Sequence, residues 1–160
     1  MKNREVRLGL LTITCLLTAC DSVTAPLSLD PYRAQWEAQN IEHYSYTGRL
    51  FCVFCSSSGR DVTVVVRAGS VTSATDAATG QANEEVWYTV PELFGVLEEL
   101  LQDPSLRVDV AFDPLLGYPT TISVSCKDEI PDCGFSRSAT GLVQIATIDT
   151  QARGAAAPGG

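Results

Sequence analysis

The sequence predicts an α+β domain of two layers: an antiparallel sheet of about five to six strands, covered on one face by two helices, in the order helix, three strands, helix, three strands. Three observations predict it. Several segments alternate apolar and polar residues with period two, as strands with one wet face do. One long segment, "YTVPELFGVLEELLQDP" (88–104), carries instead an apolar stripe at helical spacing. Turn-forming clusters such as "SSSG" (56–59) and "DPLLGYP" (113–119) separate the alternating segments.

The first helix is expected at "LDPYRAQWEAQN" (29–40), with Asp30 as its cap, Pro31 in the first turn and an end near Asn40. Tyr32 and Trp36 share one of its faces at i and i+4. "YSYTGRLFCVFC" (44–55) reads as the first strand, with Tyr44, Tyr46 and Leu50 aligned. "DVTVVVRAG" (61–69) follows with Val62, Val64 and Val66, then "GSVTSATD" (69–76) as a third, more polar strand, and "AATGQANEE" (77–85) as a loop. In the second helix Thr89 and Glu92 spell a capping box, and Tyr88 with Leu93 a hydrophobic staple. Leu93, Phe94, Leu97, Leu100 and Leu101 form the stripe, and Pro104 ends it. Two alternating strands come next. Leu106, Val108, Val110 and Phe112 share one face, and Ile122, Val124 and Cys126 another. A last strand is expected near "ATGLVQIATI" (139–148), aligning Val143 with Ile145. The recurring helix-and-three-strands order suggests a weak structural repeat.

The chain begins "MKNREVR" and continues apolar or small from Leu8 to Leu17, which is the layout of a secretory signal peptide. About 20 apolar residues are needed to span a bilayer, and this run is too short. Cleavage before Cys15 would place the branched Thr14 at the cut, whereas cleavage before Cys20 follows "LTA". "LTAC" resembles the lipobox of bacterial lipoproteins. That resemblance implies a diacylglycerol thioether on Cys20, often joined by an N-acyl chain such as palmitate, since several acyl chains anchor far more durably than one. Asp21 resembles the inner-membrane retention signal of some enteric bacteria. The expected division is then a signal peptide over residues 1–19, a tether over 20–29, one globular domain over 30–149 and a disordered tail over 150–160. The expected place is outside the cytoplasm, tethered to the bacterial cell membrane in either leaflet.

Cleavage removes three of the 11 basic and one of the 19 acidic residues, so the balance falls from −8 to −10. Such a charge argues against nucleic acid, whose phosphates need Lys and Arg. It argues equally against electrostatic adhesion to anionic lipid, so the acyl chains alone make the membrane contact.

Four cysteines remain in the domain: Cys52, Cys55, Cys126 and Cys133. An even number in an exported chain reads as two disulfides. Of three connectivities, Cys52 with Cys55 and Cys126 with Cys133 is the favoured expectation. Each closes a short loop, so each contributes less than the roughly 3 kcal/mol of a 15-residue loop. "CVFC" as a redox pair would need the helix N-terminus that lowers a thiol's pKa, and none is predicted behind it. A four-thiolate zinc site would have one half with atypical spacing. His43 is the single histidine and is read as an ordinary surface residue. Asp109 and Asp113 are read as solvated carboxylates rather than a glycosidase pair. "DEIPD" (128–132) lacks the ligand spacing of an EF-hand. No nucleophile elbow, phosphate-cradling loop or zincin motif occurs. The expectation is therefore no catalytic residues, no metal and no cofactor.

Trp36, the "YSY" at 44–46, the close cysteine pair, "VTVVVRAGSVTSATDAATG", "TVPELFGVLEELL" and "VDVAFDPLLGYPTTISV" occur in one order. Over residues 36–128 they resemble the bacterial envelope proteins grouped as domain-of-unknown-function family 6174, with "FDPLLGYPT" (112–120) the most specific piece. The resemblance implies a fold and an address, with no catalytic residues. "CVFC" departs from it, relatives tending to place one residue between these cysteines, and Cys126 and Cys133 are additions. The resulting functional expectation is a non-catalytic binding or scaffolding lipoprotein, its partner an envelope protein or small ligand. The alternatives are a thiol-disulfide oxidoreductase using Cys52 and Cys55, or an inhibitor of an exocytoplasmic enzyme.

Overall fold

The computed structural model describes residues 27–128 and 133–146. The signal peptide, Cys20, most of the tether, the 150–160 tail and residues 129–132 of "DEIPD" lie outside them. The elements are α1 (Asp30–Glu37), β1 (Tyr44–Phe51), β2 (Asp61–Arg67), β3 (Ser70–Asp76), α2 (Val90–Gln102), β4 (Leu106–Phe112), β5 (Pro119–Cys126) and β6 (Gly134–Gln144). The six strands form one sheet in the order β3-β2-β1-β6-β5-β4, every neighbouring pair antiparallel. This is the α+β class and element order that the sequence predicts.

β3 and β4 occupy opposite edges, so the segment between them must cross the whole sheet. α2 makes that crossing, which is why its stripe is apolar. Val90, Leu93, Phe94 and Leu97 are buried, each stabilising the fold by about 1.5–3 kcal/mol. Its start is fixed locally by the capping box: the Thr89 N–H donates to Glu92 Oε2 at 2.7 Å and the Glu92 N–H to Thr89 Oγ1 at 3.3 Å. Asp103, preceding Pro104, is extended and ends it. Leu101, expected in the stripe, is exposed.

Several boundaries differ from expectation. Leu29, not Asp30, is the N-cap of α1, and Asp30 instead places a carboxylate in the first turn, where the helix dipole favours it. The helix ends at Glu37, before Asn40 takes a left-handed φ of 51°. β1 stops at Phe51, leaving "CVFC" in a turn. β6 begins at Gly134, five residues earlier than expected, and Val143 on it is exposed. The repeat is one of element order only. With both helices on one face, a rotation relating the halves would reverse the strand order, whereas each half keeps its order and flips its direction.

Tyr44, Tyr46, Gly48 and Leu50 of β1 face the helices beside Val62, Val64 and Val66 of β2. Across from them Trp36 meets Tyr44 and Tyr118 edge-on, and Tyr32 stacks on Phe112 at 3.8 Å between centroids. The outer face carries Thr47, Thr63, Thr121, Ser123, Ser136 and Ser138. β2 and β3 are joined by Ala68 and Gly69, both at positive φ, as a tight primed turn requires.

At Gly48 the indole of Trp87 lies where a Cβ would be, 2.7 Å from its Cε3. Gly48→Ala is therefore expected to lose about 1–3 kcal/mol through overpacking. Gly95→Ala, which meets nothing within 4 Å on α2, is expected to gain about 0.5–1 kcal/mol. Urea unfolding of the two variants beside the parent checks both signs.

Candidate functional site

The four domain cysteines form the two expected bridges, Cys52–Cys55 with Cα atoms 5.4 Å apart and Cys126–Cys133 with Cα atoms 5.8 Å apart, both in the range a disulfide needs. Strand register brings them to one end of the sheet. Phe51, the last residue of β1, pairs with Ser136 near the start of β6, and Ser123 pairs with the same Ser136. The 52–60 turn, Cys126 and Cys133 thus lie at one end. α1 rests toward the other, through Trp36 on Tyr44 and Gln35, whose Nε2 donates to Pro114 O and Leu115 O at 3.0 Å.

The Cys52–Cys55 bridge closes a loop whose two internal residues point outward. Phe54 is 94% exposed and Val53 57%, with Phe51 beside them at 50%. Bulky apolar side chains seldom gather at a tip without a use. The loop behind them is held in place. Glu85 accepts from the Ser56 N–H and from Ser56 Oγ, each at 2.9 Å, while Arg60 donates to Ser56 O at 2.8 Å and Gly59 N–H to Leu50 O at 2.7 Å. The Ser56 hydroxyl foremost holds the Glu85 carboxyl below its ordinary value.

Next to this loop stands Arg137 of β6, on the helix-facing side opposite Leu50. Its guanidinium carbon sits 4.7 Å from the Tyr88 ring centroid and 5.4 Å from that of Trp87, and its Nη1 donates to Val86 O at 2.8 Å. Burial lowers its pKa from the usual guanidinium value. The aromatic faces supply the attraction that a carboxylate gives elsewhere. One guanidinium thereby fastens the 86–88 segment to the sheet, with Val86 exposed beside the loop that Glu85 holds. Sequence patterning did not single out Arg137, Glu85 or Phe54.

The other candidates separate. Cys52 and Cys55 lie beyond a strand and within turns, with no helix behind them. All four cysteines are bridged, which excludes the four-thiolate zinc arrangement in this state. His43 Nδ1 accepts the Ala68 N–H at 3.4 Å beside the β2–β3 turn. Asp113 is committed to its own loop, accepting from the N–H groups of Leu115 and Leu116 at 2.9 and 2.8 Å, while Asp109 lies exposed on β4. Among the described residues no three His, Cys, Asp or Glu side chains are placed to hold a metal, and no helix is long and apolar enough to cross a membrane.

A family model described as "Family of unknown function (DUF6174)" matches residues 28–143, and the chain belongs to that family. No curated protein and no solved structure matches it.

Glu85's lowered pKa means that its contribution is full above the ordinary value of 4.5 and is lost as pH falls through the lower folded value. Glu85→Gln is therefore expected to be less stable than the parent at pH 7, and the gap to shrink as pH falls below 4.5. Urea midpoints of both proteins at pH 7 and at acid pH read this directly.

Proposed function

We propose that this family member is a lipid-anchored binding module of the bacterial envelope, with Cys20 as its membrane foot and the disulfide-closed end of the sheet as its docking end. The reading rests above all on Phe54, 94% exposed at the tip of a loop pinned by a disulfide and by Glu85. A rigid aromatic anchor loses little conformational entropy when it enters a partner's pocket, and such residues commonly dominate binding energy. The tether leads into α1, which rests toward the Tyr44 end of β1, whereas the tip extends beyond Phe51. The partner this chemistry fits is an envelope protein offering an uncharged apolar cleft; inhibition of an exocytoplasmic enzyme is one form such docking takes.

The competing reading is a thiol-disulfide oxidoreductase. In its favour, Cys52 and Cys55 are bridged and three residues apart. Against it, no helix dipole stands behind Cys52 to stabilise a thiolate.

A photo-crosslinking amino acid at position 54 of the membrane-held protein is expected to give one discrete adduct, and the same group at exposed Glu99 on α2 none. Equal labelling from both positions, or none from position 54, contradicts the docking reading. Insulin reduction that disappears in Cys52→Ser would instead support the oxidoreductase.

A further inference from the structure

The two edges of the sheet are treated differently. At the β3 edge the chain folds back over its own strand: the Asp76 N–H donates to Gln81 O and the Asn83 N–H to Ala74 O, each at 2.9 Å, with Thr75 bridged to Ala82. Among the described residues nothing pairs with the outer edge of β4. Along "LRVDVAF" alternate residues turn backbone groups away from β5, an arrangement that invites another strand.

Which residues face outward follows from the ladder. The Lys127 N–H donates to Ser105 O, so position 105 and then 107, 109 and 111 direct their backbone groups at β5. Leu106, Val108 and Val110 direct theirs outward, with the Leu106 N–H already given to Asp103 O at 3.2 Å. Their side chains lie on the helix-facing side, half-buried, while Arg107 and Asp109 stand exposed on the other face.

We infer that β4 is a self-complementary edge: two copies of the chain join their β4 strands antiparallel about a twofold axis at Val108, so that two sheets become one. Only registers that oppose outward-facing residues can form hydrogen bonds. In the register centred on Val108, Leu106 opposes Val110 twice and Val108 opposes itself. The three pairs exchange about four backbone hydrogen bonds, the two Leu106 N–H groups staying with Asp103 O of their own chains. On the outer face Arg107 then opposes Asp109 twice, in the non-hydrogen-bonded sites where side chains come closest. Sliding to the next allowed register in either direction sets Arg107 against itself or Asp109 against itself. Charge therefore selects one pairing and opposes its neighbours. Neither residue makes an ion pair with a described residue of its own chain. The apolar row under the helices continues across the junction. This inference is independent of the docking tip, which lies on a different part of the sheet.

Sedimentation velocity on the full chain extracted in detergent tests it, using Asp109→Arg, Arg107→Asp and the two together. The parent is expected to dimerise. Each single reversal is expected to weaken the dimer by about tenfold or more, since it creates two like-charge pairs. The double exchange restores the pairing. Val108→Pro removes an outward N–H while sparing the β4–β5 ladder, and is expected to give a folded monomer. A parent that stays monomeric at every accessible concentration overturns the inference. So does a dimer indifferent to the single reversals, or one that the double exchange fails to restore while circular dichroism shows all variants folded.

Discussion

Two tyrosine hydroxyls on the central strand fix where everything else goes. Tyr44 Oη accepts the Val90 N–H at 2.7 Å, satisfying the first orphan donor of α2, and Tyr46 Oη donates to Tyr88 O at 2.7 Å just before that helix. Both rings are buried, and burial pushes the Tyr44 phenol up to about 12 and that of Tyr46 higher still. They stay neutral over the whole physiological range, so the contacts do not switch with pH. A helix that must cross from one sheet edge to the other is thus tied at its start to the middle of the sheet. From that tie follow the cover over one face, the position of Trp87 against Gly48, and the hydroxyl-rich face left to water.

The core runs out toward the Phe51 end. There the fold is held by covalent and polar links: the Cys52–Cys55 and Cys126–Cys133 bridges, the Glu85 contacts to Ser56, and Arg137 over Tyr88 and Trp87. Short-loop bridges add little global stability. They suit a different task, which is keeping a loop with exposed Phe54 in one shape at no expense to the core. Covalent and polar links at the Phe51 end and a hydrophobic core at the other are therefore two solutions to one problem in a small domain.

Much of the fold was legible because its determinants are local. α2 carries its own capping box and stop in Thr89, Glu92 and Pro104, and the three valines of β2 declare a strand without reference to anything distant. β6 was read short because "GFSRS" has no apolar alternation. Arg137 occupies a helix-facing position there, and only the rings of Tyr88 and Trp87, some fifty residues away, make that position tolerable. The bulge in β6 was not legible: two residues oppose Tyr46 there, Gly141 takes a φ of 62° and the register slips, which sets Val143 opposite Ser45. The cysteine pairing followed from spacing. The fate of Phe54 did not, since "RLFCVFC" alternates like a strand, and only the turn forced after Phe51 sends that ring outward.

The most direct measurement is the intact mass of the protein extracted from membranes. The account predicts a chain beginning at Cys20 that carries a diacylglyceryl group with any N-acyl chain, and is lighter by the four hydrogens of two disulfides. An unlipidated chain still bearing residues 1–19, or one with its four domain thiols free, contradicts it.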